Sequence, residues 1–444
     1  MNTSTNLTSK EDDPGSIPLT MWDELGLHFD FSDEPNTIYA ECVIEGSVNF
    51  SKLKTSLDNL SKEYPLLRSK LIKMDKSRQK YYWQRCSIDS NPNKVIFHGI
   101  VDWENYANLL ERITSERLDP YVSIFKIHLL TVNDKSHIIL HAHHSAFDGK
   151  SLVDMLCLLS SSYKGAKLRT PAPTVKQMKD KFTSSTTSKT PIVKRRSKYL
   201  PFINKITRIE SLNEKKQPGY KIVKAKLDIA FLKSFRNSLD IKLTINDLLL
   251  CAIMCAVDEW NITLGKSTYA TVITMPIDIR ESYTKAMFGN YTVAIPIGTT
   301  KSERSDQNSL FQSIFEQTSD FKIMASTPFS EKLDMFLSKP PLLQMVLLAH
   351  RLLGSRLVHT TIFSNLGKLD ISELFGSNVS EFYFSTSARM PRGVAIGATG
   401  IKETLYLALR FRPRLFDEVS ANTFLDLIVN NLNEYQLVNN KLKS

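Results

Sequence analysis

Glycine is scarce in this chain, 16 of 444 residues, and none falls in GxGxxG or GxxxxGK spacing, so neither a dinucleotide phosphate turn nor a P-loop is available. The cysteines Cys42, Cys86, Cys157, Cys251 and Cys255 are odd in number and contain no CxxC pair. That argues against a disulfide framework or a cysteine zinc site and fits a reducing compartment. The N-terminal segment MNTSTNLTSKEDDPGSIP lacks the basic start and apolar core of a secretory signal, and a cytoplasmic protein is expected. Long apolar runs are missing too. The most apolar stretch, Pro340 to Val358, is broken by His350, Arg351 and Arg356, which would be costly at a bilayer centre, so it reads as a buried helix.

At 42% hydrophobic and 23% charged residues the composition is that of a folded soluble chain. Its length exceeds what one core usually supports, which predicts two cores. The net charge of +11 is uneven. Between Lys164 and Lys216 lie 15 of the 57 basic and 3 of the 46 acidic residues, a net of +12, leaving −1 elsewhere. One loop-like run is not the basic face of a folded nucleic-acid reader, and no nucleic-acid partner is expected.

Periodicity divides the chain into a polar tail (1–16), a first αβ region (17–175), a basic linker (176–218) and a second αβ region (219–444). In the first, TIYAECVIEG, LLRSKLIKM, KYYWQRCSI, VSIFKIHLLTVND and KSHIILHAH read as strands. NFSKLKTSLDNLSKEYPLL, Asp102 to Arg117 and SLVDMLCLLSSSYKG read as helices. In the second, DIAFLKSFRNSLD and TINDLLLCAIMCAVDEW are helical, the latter with Thr244 as N-cap. YATVITMPIDIR, YTVAIPIG, HTTIFSNLG, EFYFSTSA and LYLALRFRPR read as strands, with helices near 308–358 and from Glu418 to Tyr435. Within the linker, VKRRSKYLPFINKI mixes cations with apolar residues. A solvated connector is the plain reading, and peripheral contact of 189–206 with an anionic membrane or an acidic carrier protein is the alternative.

Three of the nine histidines, His141, His143 and His144, fall within four residues. On a strand His141 and His143 share a face that His144 opposes, so they form no ligand set and no metal is expected. The segment continues SAFDG, leaving a strand through a turn into a helix. A strand-end loop can present one imidazole in a crevice, and Gly149 allows a sharp bend. Histidine titrates near neutrality and can take a proton from an alcohol or amine as that group attacks a carbonyl. Asp148 can orient the ring or brace the loop.

HHSAFDG resembles the HHxxxDG signature of the chloramphenicol acetyltransferase superfamily, which His143, His144, Asp148 and Gly149 match in full. That superfamily includes condensation domains, polyketide-associated acyltransferases, fungal alcohol acetyltransferases and plant BAHD enzymes. Further segments are similar in the right order: YPLLRSKL with Arg68, TINDLLLCA, MPIDIR, FGNYTVAIP and FSNLG. The resemblance implies an α/β fold of two chloramphenicol-acetyltransferase-like αβ sandwich domains in a V around a central tunnel. It implies an acyltransferase that moves an acyl group from acyl-CoA or a carrier-bound phosphopantetheine thioester to a hydroxyl acceptor, without an acyl-enzyme. His144 would be the base, Asp148 would pair with Arg280, and Gly149 would give the acyl chain room. Ser364 and Asn365 are candidates for binding the oxyanion or substrate.

The plant segment DFGWG is missing, and no carrier or adenylation domain accompanies the motif, so a free-standing enzyme is implied. Commonly monomeric relatives imply a monomer, and no cofactor beyond the thioester co-substrate is expected. An amide-forming condensation enzyme in a peptide natural-product pathway, using an amine acceptor, is the alternative. A non-catalytic binding relative is a third. Acyl length, the acceptor's identity and the choice between CoA and a carrier protein stay open at the level of sequence.

Overall fold

The computed structural model describes residues 16–19, 21–75, 80–166, 205–212, 217–278, 280, 288–325 and 359–443. The expected helix of 340–358, most of the basic linker and most of the 189–206 segment lie outside these residues.

Two six-stranded sheets organise the chain, with a small sheet of β1 (Ser16–Pro18), β3 (Ser69–Asp75) and β4 (Lys80–Arg85) beside them. The first large sheet centres on β2 (Thr37–Glu45) and β7 (Lys135–His143), which pair antiparallel from Thr37↔His143 to Glu45↔Lys135. Expected as a half-polar strand, β2 is buried on both faces through Ile44. Strand β6 (Phe125–Val132) joins β7 through Asn133 and Asp134, whose φ angles of 48° and 60° suit a two-residue hairpin turn and residues of that type. Helices α2 (Phe50–Glu63) and α4 (Gly149–Tyr163) pack together in the first core. Asn49 caps α2 through the Lys52 amide at 2.8 Å, and Asp102 caps α3 (Trp103–Ser115) through Asn105 at 2.8 Å.

The second sheet runs β10-β9-β11-β14-β15-β8, comprising β8 (Lys221–Asp228), β9 (Thr271–Asp278), β10 (Thr292–Thr299), β11 (Thr361–Leu369), β14 (Val394–Ile401) and β15 (Thr404–Phe411). After α5 (Ala230–Asn237), α6 (Ile245–Thr263) opens with a full capping box between Thr244 and Asp247. Beyond α7 (Lys301–Arg304) and α8 (Gln307–Ala325), the last helix, α9 (Glu418–Lys443), packs against α6 in the second core and runs past the expected Tyr435. No helix among the described residues is long and apolar enough to cross a membrane.

The two regions are not independent. Strands β12 (Glu373–Leu374) and β13 (Ser377–Ser385), although late in the chain, join the first sheet, β13 pairing with β2 from Val379↔Ile44 to Ser385↔Tyr39. Where β13 passes β14 the backbones nearly touch: a Cβ on Gly397 would lie 1.7 Å from the Phe384 carbonyl oxygen. This explains why VAIGATGI, which pattern reading passes over because its glycines resemble turn signals, is a fully buried strand. KVIFHGI (β5, Lys94–Ile100) and KIVKAKLD (β8) are likewise strands that the pattern did not single out.

Candidate active site

His143 ends β7 and His144 follows it into a tight turn, closed by the Ala146 amide donating to the His143 carbonyl at 3.0 Å. The turn is anchored from below by Phe147, 0% exposed and edge-on to Phe125. It is anchored from the side by Asn36, whose carbonyl accepts from the His144 amide at 2.9 Å. The side chain of His143 is buried. Its Nδ1 accepts from the Ser145 amide at 3.1 Å, so the ring proton resides on Nε2, 3.5 Å from Asp30. Burial alone would raise the Asp30 carboxyl, but His143, the Asn36 amide and Arg117 together hold it below its ordinary value.

His144 is only partly buried. Its Nδ1 lies 3.0 Å from the Phe147 carbonyl oxygen, which can only accept, so Nδ1 carries the proton and Nε2 the free lone pair. Burial pushes the imidazole below its ordinary 6.5, and His143 adds to this against the opposing Phe147 carbonyl and Asp148. At neutral pH the ring is therefore an uncharged base with its proton-accepting nitrogen preset.

Asp148 braces this loop and makes no hydrogen bond to the His144 ring. Its Oδ1 caps α4 through the Ser151 amide at 2.9 Å and accepts from Arg280 Nη2 at 2.8 Å, while Oδ2 accepts from the Tyr291 amide at 2.8 Å. Arg280 also reaches Ser151 Oγ at 2.8 Å and Asp278 at 3.1 Å, and stacks over the Tyr291 ring at 4.7 Å. Burial would lower its pKa, but the two carboxylates raise it above the ordinary value.

Gly149 does not bend the chain. It is the first residue of α4, without positive φ, and its missing side chain is needed for packing: a Cβ there would meet Phe384 Cζ at 2.6 Å and Leu366 Cδ2 at 2.8 Å. Those two side chains fill the space a Cβ would take. Leu366 thus brings β11 against the motif, and Ser364, 8% exposed, precedes it on the strand, whose register is irregular between Asn365 and Lys368. Asn365 is committed elsewhere, to Asn246 at 3.3 Å and the Gly367 amide at 2.8 Å. Arg68 also serves away from the site, donating through Nε to the Ser61 carbonyl at 2.9 Å.

The sequence reading did not assign roles to Gly289, Asn290, Tyr291, Ser151 or Asn36. Asn290 Nδ2 donates to the His144 carbonyl at 3.1 Å, and the Gly289 carbonyl accepts from the Asp148 amide at 3.2 Å and Ser151 Oγ at 2.8 Å. FGNYTVAIP carried the only available signal, and it lay in a segment's likeness rather than in residue chemistry. The result is an interlobe seam in which the second lobe's Arg280 and Gly289 to Tyr291 grip the first lobe's His144 loop.

No protein-family model matches the chain. Two uncharacterized proteins of Mycobacterium tuberculosis, from strains CDC 1551 / Oshkosh and H37Rv, are each 21% identical over 418 residues, covering 89% of this chain and 94% of theirs. Among solved structures, the first condensation domain of the CDA synthetase superposes with a TM-score of 0.68 at 13% identity, over 96% of this chain and 97% of that one. The starter condensation domain of rhizomide synthetase RzmA, as a variant in complex with C8-CoA, gives 0.65 at 14%, over 95% and 94%. The wax ester synthase/diacylglycerol acyltransferase of Marinobacter aquaeolei VT8 gives 0.61 at 12%, over 95% and 100%. The chain has their two-lobed chloramphenicol acetyltransferase-like fold.

Proposed function

We propose that this chain is an acyltransferase that moves an acyl group from a thioester to a hydroxyl acceptor, with His144 as general base and no covalent acyl-enzyme. The observation that carries this reading is the Nδ1 contact of His144 with the Phe147 carbonyl, which leaves Nε2 as a preset base on a partly exposed ring. In the reaction, Nε2 takes the acceptor's hydroxyl proton as its oxygen attacks the thioester carbonyl. The tetrahedral adduct then expels the thiolate, which recovers that proton from the imidazolium. The Phe147 carbonyl and the nearby Asp148 charge favour the transient imidazolium. Ser364 is the candidate for polarising the oxyanion, being on the strand that meets the motif through Leu366.

Supporting the thioester donor is the solved C8-CoA complex of a fold relative. Supporting an ester product is a fold relative named as a wax ester synthase. The condensation domains among the neighbours favour the second reading, amide formation with an amine acceptor. The deciding experiment measures free-thiol release from a panel of acyl-CoAs with alcohol and amine acceptors, comparing wild type with His144→Ala. Acceptor-dependent release lost in the variant establishes acyl transfer and its acceptor class. Release from no pair, with carrier-bound donors included, overturns the proposal.

A further inference from the structure

Two buried histidines of the first sheet have ring nitrogens that no protein group satisfies among the described residues. His141, 0% exposed, has no hydrogen-bond partner for either nitrogen, and His128, 3% exposed, has none for Nε2. Leaving such an atom unpaired costs about 1–3 kcal/mol, so a ligand is indicated. Strand register brings the two together. His141 lies across from Lys126 and His128 from Ile139, which makes the histidines diagonal neighbours on one face of β6 and β7. Glu116, the C-cap of α3, adds a carboxylate. One donor atom from each of Glu116, His128 and His141 lies within 4.8 Å of the others.

We propose that Glu116, His128 and His141 form a binding site for a divalent transition metal, zinc(II), with water in the fourth position. Two imidazoles and one carboxylate are a zinc donor set, and bonds of about 2.0–2.2 Å at tetrahedral angles put donors roughly 3.4 Å apart, so side-chain rotations that draw donors now within 4.8 Å together by up to about 1.4 Å close the site. A second observation supports it. His128 Nδ1 meets His98 Nε2 at 2.9 Å, the outer contact that fixes a metal-bound imidazole with its other nitrogen aimed at the ion. His141, with both ring nitrogens unpaired, can offer either one to the ion.

The cations acting on the cluster are Lys126, paired with Glu116, together with Arg112 and Arg410. The Lys126 side chain is 27% exposed and can turn to solvent as the ion takes its place. His141 precedes His144 by three residues on the same strand exit, so an ion here would tie β6, β7 and the end of α3 together behind the base. The role is structural, and it differs from the absence of metal that the HxHH spacing suggested.

The test uses tag-free full-length protein dialysed against EDTA and then titrated with zinc(II) against a chromophoric chelator, with cobalt(II) as a spectroscopic substitute. One equivalent of zinc should bind, cobalt should show the visible bands of a tetrahedral site, and zinc should raise the melting temperature reversibly. Glu116→Gln, at the half-exposed rim, should weaken zinc binding at least about tenfold, and His141→Ala should abolish it. If His141→Ala does not fold, the rim variant decides. No zinc bound by folded wild type overturns the site, buried water then serving the histidines. Binding unchanged in Glu116→Gln overturns it too, because the ion then sits elsewhere. Neither readout uses turnover, so the result stands apart from the acyltransfer reading.

Discussion

Arg280 of the second lobe donates to Asp148 of the first at 2.8 Å, and both side chains are 1% exposed. The pair is 132 residues apart in sequence, and it joins the lobes directly beneath the loop that presents His144. A charge pair this dry contributes less to net stability than its distance suggests, because both ions lose their hydration. Breaking it from one side is another matter.

Asp148→Ala should destabilise the protein by about 3–5 kcal/mol, since Arg280 would be left buried with exposed Asp278 and the more distant Asp154 as counter-charges. Chemical denaturation measures this. Adding Arg280→Met to Asp148→Ala should recover part of the loss by removing the orphaned charge. Equal stability of Asp148→Ala and wild type would reject the pair as a structural clamp.

His144→Ala should reduce turnover by about 10²–10⁴-fold while leaving the circular dichroism spectrum and the denaturation midpoint close to wild type. The ring is partly exposed and bonded through one nitrogen, so its removal opens little of the core. Retained thiol release in the variant would remove His144 from the chemistry.

Activity should rise with pH along a limb whose midpoint lies below 6.5, because burial lowers the His144 pKa and only the neutral ring accepts a proton. Stability follows the same sign. The unfolded chain binds this proton more readily than the folded one, so stability falls as pH drops through 6.5 toward the folded value. Kinetics and denaturation across pH 4 to 8, with His144→Ala flattening the stability slope, check both statements.

Gly149→Ala and Gly397→Ala should differ in severity for a geometric reason. At Gly149 the new methyl meets the tips of Phe384 and Leu366, which can shift, giving a loss of about 1–3 kcal/mol that Phe384→Leu relieves. At Gly397 it meets the Phe384 backbone oxygen, which β-pairing holds in place. That variant should lose folded yield, with no rescue from Phe384→Leu. Thermal melts of the three proteins and the double variants settle the comparison.

Asn290→Ala removes the amide that steadies the His144 carbonyl from the second lobe. The expected stability change is about 1 kcal/mol, with a larger loss in kcat than in KM if the loop's position governs the chemical step. A change confined to stability would give Asn290 a purely structural role.

Much of this protein was legible in the order of its side chains. The switch from period two to period 3.6 located β2, α2, α3, β6, β7 and α4, the helices by their buried stripes and the strands by their β-branched, apolar-rich runs. The string HHSAFDG, with MPIDIR far downstream, marked the His144 loop and the arginine that meets it. Thr244 announced its helix by the capping chemistry available to a hydroxyl and a carboxylate three residues apart.

What local pattern could not carry was decided by tertiary contacts. Backbone proximity at Gly397, the transfer of β13 into the first sheet and the grip of Asn290 and Tyr291 on the His144 loop depend on how two sheets meet. The sequence by itself determined most of the elements, though not β5, β8 and β14, and singled out His144, Asp148 and Arg280, since these follow from short-range periodicity, residue chemistry and motif likeness. The tertiary structure alone decided that Asp148 braces rather than touches the ring, that Gly149 serves packing, and that His128 and His141 converge. Each of these is a matter of register and close approach, and none is written in the spacing of one strand.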